Sequence, residues 1–182
     1  MSFPVHRPRR LRIDSRLRGM IRDVSLSPEN LIYPLFVVDR LDEPHEISAM
    51  PGQKHWPVDR IDEPVADAMR KGVVAFILFG VPSEKDAHGS PAYDAESVVC
   101  RAIRHIRKHC PQAYLITDVC LCAYTDHGHC GMLRDNGSID NDSSIDLIAR
   151  MALAHAQAGA DMVAPSDMMD GRIGAIRTLL EI

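Results

Sequence analysis

Four apolar runs punctuate the chain: "LIYPLFVV" (31–38), "VVAFILFG" (73–80), "AYLITDVCL" (113–121) and "DMVAPSD" (161–167). The first two are nearly unbroken, the pattern of parallel strands covered on both faces rather than that of a strand half in water. Between the runs the apolar period lengthens to that of a helix. Asp59 precedes Ile61, Val65, Ala68 and Met69, which share one helical face, and Gly72 closes the segment. Asp94 precedes a single stripe of Val99, Ile103, Ile106 and Cys110. Asp142 or Ser143 opens a third helix that buries Ile145, Ile148, Ala149, Ala152 and Ala156 and ends at Gly159. Asp170 opens a fourth, with Ile173, Ile176 and Leu180 inward.

Four strand-then-helix units in succession predict an α/β protein, because parallel strands need helical crossovers. Two architectures fit this order: an open doubly wound sheet and a (β/α)8 TIM barrel. No G-x-G-x-x-G follows the first strand, which disfavours the dinucleotide-binding version of the open sheet. Long loops follow the first three strands, on the face where barrel enzymes build their sites. The barrel is therefore the expected fold, with residues 1–30 an N-terminal arm and 31–182 its first four units, half of a closed barrel. The last helical pattern runs to the end of the chain without glycine, proline or polar cap, so the chain is expected to be truncated.

Composition narrows the function. The 182 residues are 46% hydrophobic and 25% charged, which suits one globular domain with a sizeable core. A net charge of −4 and a pI near 6.1 argue against nucleic acid as the main partner. The arginines at 7, 9, 10, 12, 16 and 18 instead read as a solvated arm, of the kind that docks on a neighbouring subunit. No apolar stretch follows the basic start as in a secretion signal, and no run approaches the roughly 18 residues of a membrane span. A cytoplasmic protein with five reduced cysteines is expected.

The candidate chemistry is concentrated in "TDVCLCAYTDHGHCG" (117–131). Alternation along a strand puts Asp118, Cys120 and Cys122 on one face and Val119 and Leu121 on the other. Turning through Gly128 and Gly131, the following loop can bring Cys130 back. Three thiolates without an obvious fourth protein ligand describe a zinc ion with one open position, as catalytic zinc sites keep. Plain core packing of these cysteines is the alternative, since the usual C-x2-C spacing is absent. His127 and His129 fit equally as ligands or as loop-packing groups. Cys100 and Cys110 read as helix-face core residues.

The cluster resembles the zinc-type signature of the porphobilinogen synthase (δ-aminolevulinic acid dehydratase) family. The same order of motifs runs through the chain: "RPRRLR", "LIYPLFV", "MPG" at 50–52, "FG" at 79–80, "YTDHGHCG" and "APSDMMDGRI". The resemblance implies a barrel lyase of tetrapyrrole biosynthesis that condenses two δ-aminolevulinate molecules and loses two waters. It implies Cys120, Cys122 and Cys130 as zinc ligands, Asp118 and Ser166 as active-site residues, and His129 as a residue that helps bind a second metal in some members. Ala123 departs from the commoner proline or acid, at a position that is not a ligand. The family's two Schiff-base lysines, its Mg2+ site and its carboxylate-binding arginines belong to strands after residue 182, so the chain alone is expected to be inactive, and the full-length enzyme to be a homo-oligomer, an octamer. Of the lysines present, Lys54, Lys71 and Lys108 flank helices and Lys85 reads as a solvated loop residue. The rival readings are an aldolase-like Schiff-base barrel and a catalytically inactive zinc-binding half-barrel.

Overall fold

The computed structural model describes residues 6–181. From 6 to 30 no side chain is buried. The one α-helix in this stretch, α1 (Ser15–Met20), is capped by Asp14, whose carboxylate accepts from Arg16 N at 2.7 Å.

The remainder builds one six-stranded sheet. Its strands are β1 (Ile32–Val38), β2 (His45–Glu46), β3 (Lys54–Pro57), β4 (Ala75–Val81), β5 (Tyr114–Val119) and, after a small β6–β7 hairpin (Met132–Leu133 and Ile139–Asp140), β8 (Met162–Pro165). The order across the sheet is β2-β3-β1-β4-β5-β8, with only β2 antiparallel. The four expected strands are therefore adjacent in chain order, each running parallel to the last. The two short strands β2 and β3 were not foreseen. "KHWP" is too short and too polar to stand out from a loop, and it becomes a strand only by pairing with Phe36, Val37 and Val38.

Four helices follow: α2 (Asp62–Arg70), α3 (Val98–His109), α4 (Asn141–Ala158) and α5 (Arg172–Leu180). Their starts differ from the expected ones. Ser97, not Asp94, caps α3, accepting from Cys100 N at 3.2 Å, while Asp94 closes a preceding turn through Glu96 N. Asp59 lies in a 3-10 turn (Val58–Arg60) and caps nothing in α2; Gly171 rather than Asp170 precedes α5. The predicted stops hold at Gly72 and Gly159, whose φ values of +90° and +111° suit glycine.

All the helices over the sheet cover the same side. Leu35, Val37, Phe76, Leu78 and Leu115 project into one core with Ile61 and Val65 of α2 and Ile103 and Ile106 of α3. Val119, Leu121 and Tyr124 form a second core with Ile148, Met151 and Ala152 of α4 and Ile176 of α5. The opposite face of the sheet, bearing Phe36, Ile77, Phe79 and Asp118, is only half-buried. This corrects the expectation of cover on both faces: among the described residues one face has helices, and the sheet is open, not closed into a barrel. Successive right-handed crossovers without a reversal of strand order keep the helices on one side.

His155 on α4 has 0% exposure, and neither ring nitrogen has a partner among the described residues. Burial penalises the imidazolium and lowers the pKa from 6.5 to about 4. The unfolded chain takes up a proton below pH about 6.5 that the folded chain refuses until pH about 4. Stability is therefore lost as the pH falls through that window and is unaffected above it. Between pH 7 and 4.5 this residue is expected to remove about 2–3 kcal/mol, and His155→Leu to abolish that share. Urea midpoints of both proteins at the two pH values measure it; equal losses would place the acid sensitivity elsewhere.

Candidate metal centre

Strand β5 ends at Val119, and the backbone stays extended for one more residue at Cys120 (φ −155°, ψ 138°) before a 3-10 turn at Leu121–Ala123. The expected alternation thus carries Asp118 and Cys120 but not Cys122, which sits in the turn. The turn has the same result by another route: it folds Cys122 back, with Sγ 3.3 Å from Cys120 Sγ. Tyr124 N and Thr125 N both donate to Leu121 O, at 2.8 and 2.9 Å, and hold the turn closed.

Cys130 arrives from the far end of the loop. Thr125 Oγ1 donates to His129 O at 2.8 Å, and His129 N donates to His127 Nδ1 at 3.1 Å. The loop after β4 clamps the same segment, since Asp126 N donates to Asp86 O and Asp86 N to Tyr124 O. Gly128 turns the chain with φ +75°. Gly131 acts differently, through close packing: a Cβ there would collide with Ser144 Oγ and stand 2.8 Å from Met169 Cε. Ser144 at the start of α4 in turn accepts from Met132 N at 2.9 Å.

The sulfur atoms of Cys120, Cys122 and Cys130 lie within 4.8 Å of one another. Cys120 is buried and the other two half-buried. Burial pushes the thiols of Cys120 and Cys130 above their ordinary range, and negative charge on Cys122 pushes both further the same way. Two unit charges about 4 Å apart repel by about 4 kcal/mol at an effective dielectric of 20, so three thiolates are not held together without a counter-charge. A divalent cation would supply it, and soft sulfur donors select zinc-like ions over magnesium or calcium. The donor set fits a three-thiolate centre with a further position open. His129 is exposed and outside the sulfur cluster, its ring 5.6 Å from that of His127.

Asp118 and Ser166 meet beside this cluster. Ser166 follows the last residue of β8 and donates from Oγ to Asp118 Oδ1 at 2.6 Å, in line with the pairing of Asp118 with Ala164. Burial raises the Asp118 pKa, opposed by the Ser166 hydrogen bond and reinforced by the nearby Asp167 charge. An open cavity of about 520 Å³ on the helix-free face is lined by Ile77, Phe79, Asp118, Cys122, Tyr124 and Ser166. No lysine lines it among the described residues: Lys54 is in β3, Lys71 pairs with Asp67, and Lys85 and Lys108 are exposed.

Sequence reasoning passed over two residues here. Tyr124 is buried with its hydroxyl unpartnered among the described residues, against Gly80, where any Cβ would strike that hydroxyl. Asp167 is 2% exposed; its Oδ1 accepts from Met169 N at 2.8 Å and lies 3.3 Å from Arg172 Nε. Nothing in the local pattern of "PSDMMD" separates Asp167 from Asp170.

A one-sided α/β sheet with a three-thiol, carboxylate-flanked pocket at the carboxyl ends of its strands defines an α/β scaffold with a candidate metal centre. Residues 5–182 match the sequence profile of the delta-aminolevulinic acid dehydratase family, and the chain belongs to that family. Similar proteins include the delta-aminolevulinic acid dehydratases of Archaeoglobus fulgidus (48% identical over 99% of this chain and 55% of that protein) and Bacillus subtilis (42%, over 100% and 56%). That of Ruminiclostridium josui is 45% identical over 97% of this chain and 86% of its own length. The structure superposes with a TM-score of 0.94 on the Toxoplasma gondii delta-aminolevulinic acid dehydratase (porphobilinogen synthase) in complex with its reaction product porphobilinogen, at 36% identity over 99% of this chain and 52% of that one. The chain thus spans about half the length of most of these relatives.

Gly128→Ala and Gly131→Ala separate the two roles of glycine in this loop. The first, with open space around it, is expected to cost about 1 kcal/mol through its positive φ. The second is expected to cost about 1–3 kcal/mol by overpacking and to increase thiol labelling of Cys130. Denaturant midpoints and labelling rates test this; equal costs and unchanged labelling would contradict the packing role of Gly131.

Proposed function

We propose that a family-length protein beginning with this sequence is a porphobilinogen synthase, condensing two δ-aminolevulinate molecules with loss of two waters, and that Cys120, Cys122 and Cys130 hold zinc. The observation that carries the reading is the placement of three sulfur donors beside the Asp118–Ser166 pair, in a chain of this family. Zinc bound there would supply a Lewis acid for a substrate oxygen, with one position left for it.

The protein's own groups divide the remaining work. Ser166 holds Oδ1 of Asp118, which leaves Oδ2 to orient the substrate ammonium or take a proton. Burial favours the protonated form of Asp118, and that brings its affinity for a proton closer to what a base exchanging protons near neutral pH needs. The half-buried apolar residues Ile77 and Phe79 restrict water at the cavity floor. Covalent capture of the two ketones falls, in this reading, to lysines in the other half of a family-length protein, because none here faces the cavity. That half would also close the sheet into a barrel over the helix-free face and carry any Mg2+ site.

The segment from 6 to 30 leaves Ile13, Met20, Val24 and Leu26 exposed, which supports its docking on another copy of the chain in a homo-oligomer. No described helix is long and apolar enough to cross a membrane, in keeping with a proposed cytoplasmic enzyme. His129, away from the sulfurs, is left for a second metal or for holding the loop.

One zinc per chain is expected from the three cysteines. Cys120→Ala, Cys122→Ala and Cys130→Ala each lower that binding; Cys100→Ala and Cys110→Ala leave it. Because thiolates bind with release of protons, zinc affinity falls on acidification. Equal loss from all five substitutions would contradict the assignment.

Asp118→Asn, in the full-length enzyme, is expected to lower kcat about 10²–10⁴-fold with zinc content unchanged. If Asp118 only supports the fold, the variant loses about 1–3 kcal/mol of stability and keeps its activity per folded molecule. Measuring kcat, zinc and thermal midpoint on one preparation distinguishes the two. Porphobilinogen formation that is absent from the unsubstituted full-length enzyme would refute the proposed activity itself.

A further inference from the structure

A second group of metal-capable side chains lies in the outer helical layer, on elements separate from the cysteine turn. Asp62 is the first residue of α2; His105 and His109 are one turn apart on α3. Residues four apart share a face of a helix, so both imidazoles leave α3 on the side that meets α2. Burial of Ala102, Ile103 and Ile106 against the sheet fixes that rotation of α3. The pair therefore faces Asp62 because the core of α3 faces the strands.

His105 Nε2 lies 2.8 Å from Asp62 Oδ1, and the two histidine rings have centroids 4.3 Å apart. Three ligand atoms, one from each residue, lie within 4.8 Å of one another. His109 Nδ1 is 2.9 Å from His105 O, and since a carbonyl can only accept, that nitrogen carries the proton. The Nε2 lone pair of His109 is thereby left to bind, the arrangement that metal-ligating histidines adopt when a carbonyl holds the other ring nitrogen. Around a tetrahedral ion at about 2.0–2.2 Å, donors stand roughly 3.3–3.6 Å apart, so small side-chain movements complete the set. Two neighbouring arginines of α3 are engaged elsewhere: Arg101 with Asp39 at 2.5 Å and Arg104 with Glu96 at 2.8 Å.

We infer that Asp62, His105 and His109 form a second site for a divalent transition ion of the zinc class, which ties the start of α2 to the end of α3. Two imidazoles and one carboxylate prefer such ions to magnesium or calcium. The site is independent of the cysteine centre and of the proposed activity, since it shares no ligand with either. With neutral imidazoles in place of thiolates and more exposed ligands, it is the weaker of the two.

Equilibrium dialysis of the chain against zinc, with the bound metal counted by atomic emission, tests this. Two equivalents per chain are expected. His109→Gln and Asp62→Asn each weaken the second equivalent about tenfold or more and leave the first, whereas Cys120→Ala weakens the first and leaves the second. His127→Gln, in the histidine pair of the cysteine loop, keeps the second equivalent. His109 is exposed, so its replacement disturbs no core. A thermal midpoint that rises with zinc beyond the first equivalent in the parent, but not in His109→Gln, gives a second readout. A single equivalent in the parent, a second equivalent retained in both His109→Gln and Asp62→Asn, or its loss in His127→Gln would overturn the inference.

Discussion

Three thiols within 4.8 Å of one another cannot all ionise in a half-buried pocket unless something positive stands between them. Much of the surrounding structure serves to bring these sulfurs together nonetheless. The 3-10 turn after β5 returns Cys122 toward Cys120, the Thr125 and Asp86 contacts fix the loop, and Gly131 lets Cys130 pack against the start of α4. Without a cation, burial favours the neutral thiols of Cys120 and Cys130. With one, the same geometry becomes a set of preformed ligands, and the cost of ordering the loop is already met by its own hydrogen bonds.

The sheet explains why this happens at one edge. Helices cover a single side, so the residues that alternate away from them, Phe36, Ile77, Phe79 and Asp118, share the opposite side. Because the strands are parallel and in register, Asp118 of β5 lies beside Ala164 of β8, and the residue that follows β8, Ser166, reaches the carboxylate. A pocket with an apolar floor and a polar rim follows from strand register alone. The carboxyl ends of parallel strands recur as sites for this reason: adjacent chain ends deliver side chains to one place.

Strand and helix periodicity in the sequence located the four main strands and four helices, because each carries an apolar face long enough to register. Gly72 and Gly159 marked helix ends correctly, since positive φ is a local demand. Helix starts were less readable: aspartates at 59, 94 and 170 resembled caps, yet Ser97 caps α3 and a 3-10 turn precedes α2. Several polar residues near a helix start can compete for one role, and tertiary packing decides among them. The cysteine cluster was readable from its composition, whereas the geometry of Cys122 was not, because extended alternation and a tight turn bring its sulfur to the same neighbourhood. Asp167 and Tyr124 left no local signature, and in the Asp62–His105–His109 group only the four-residue histidine spacing is local. Their meaning lies in contacts between residues far apart in the chain.

X-ray absorption at the zinc edge, on the chain loaded with one equivalent of zinc, tests the central claim most directly. Three sulfur scatterers at about 2.3 Å and one lighter oxygen or nitrogen scatterer at about 2.0–2.2 Å are expected. A first shell made only of oxygen and nitrogen, or of four sulfurs, would contradict it.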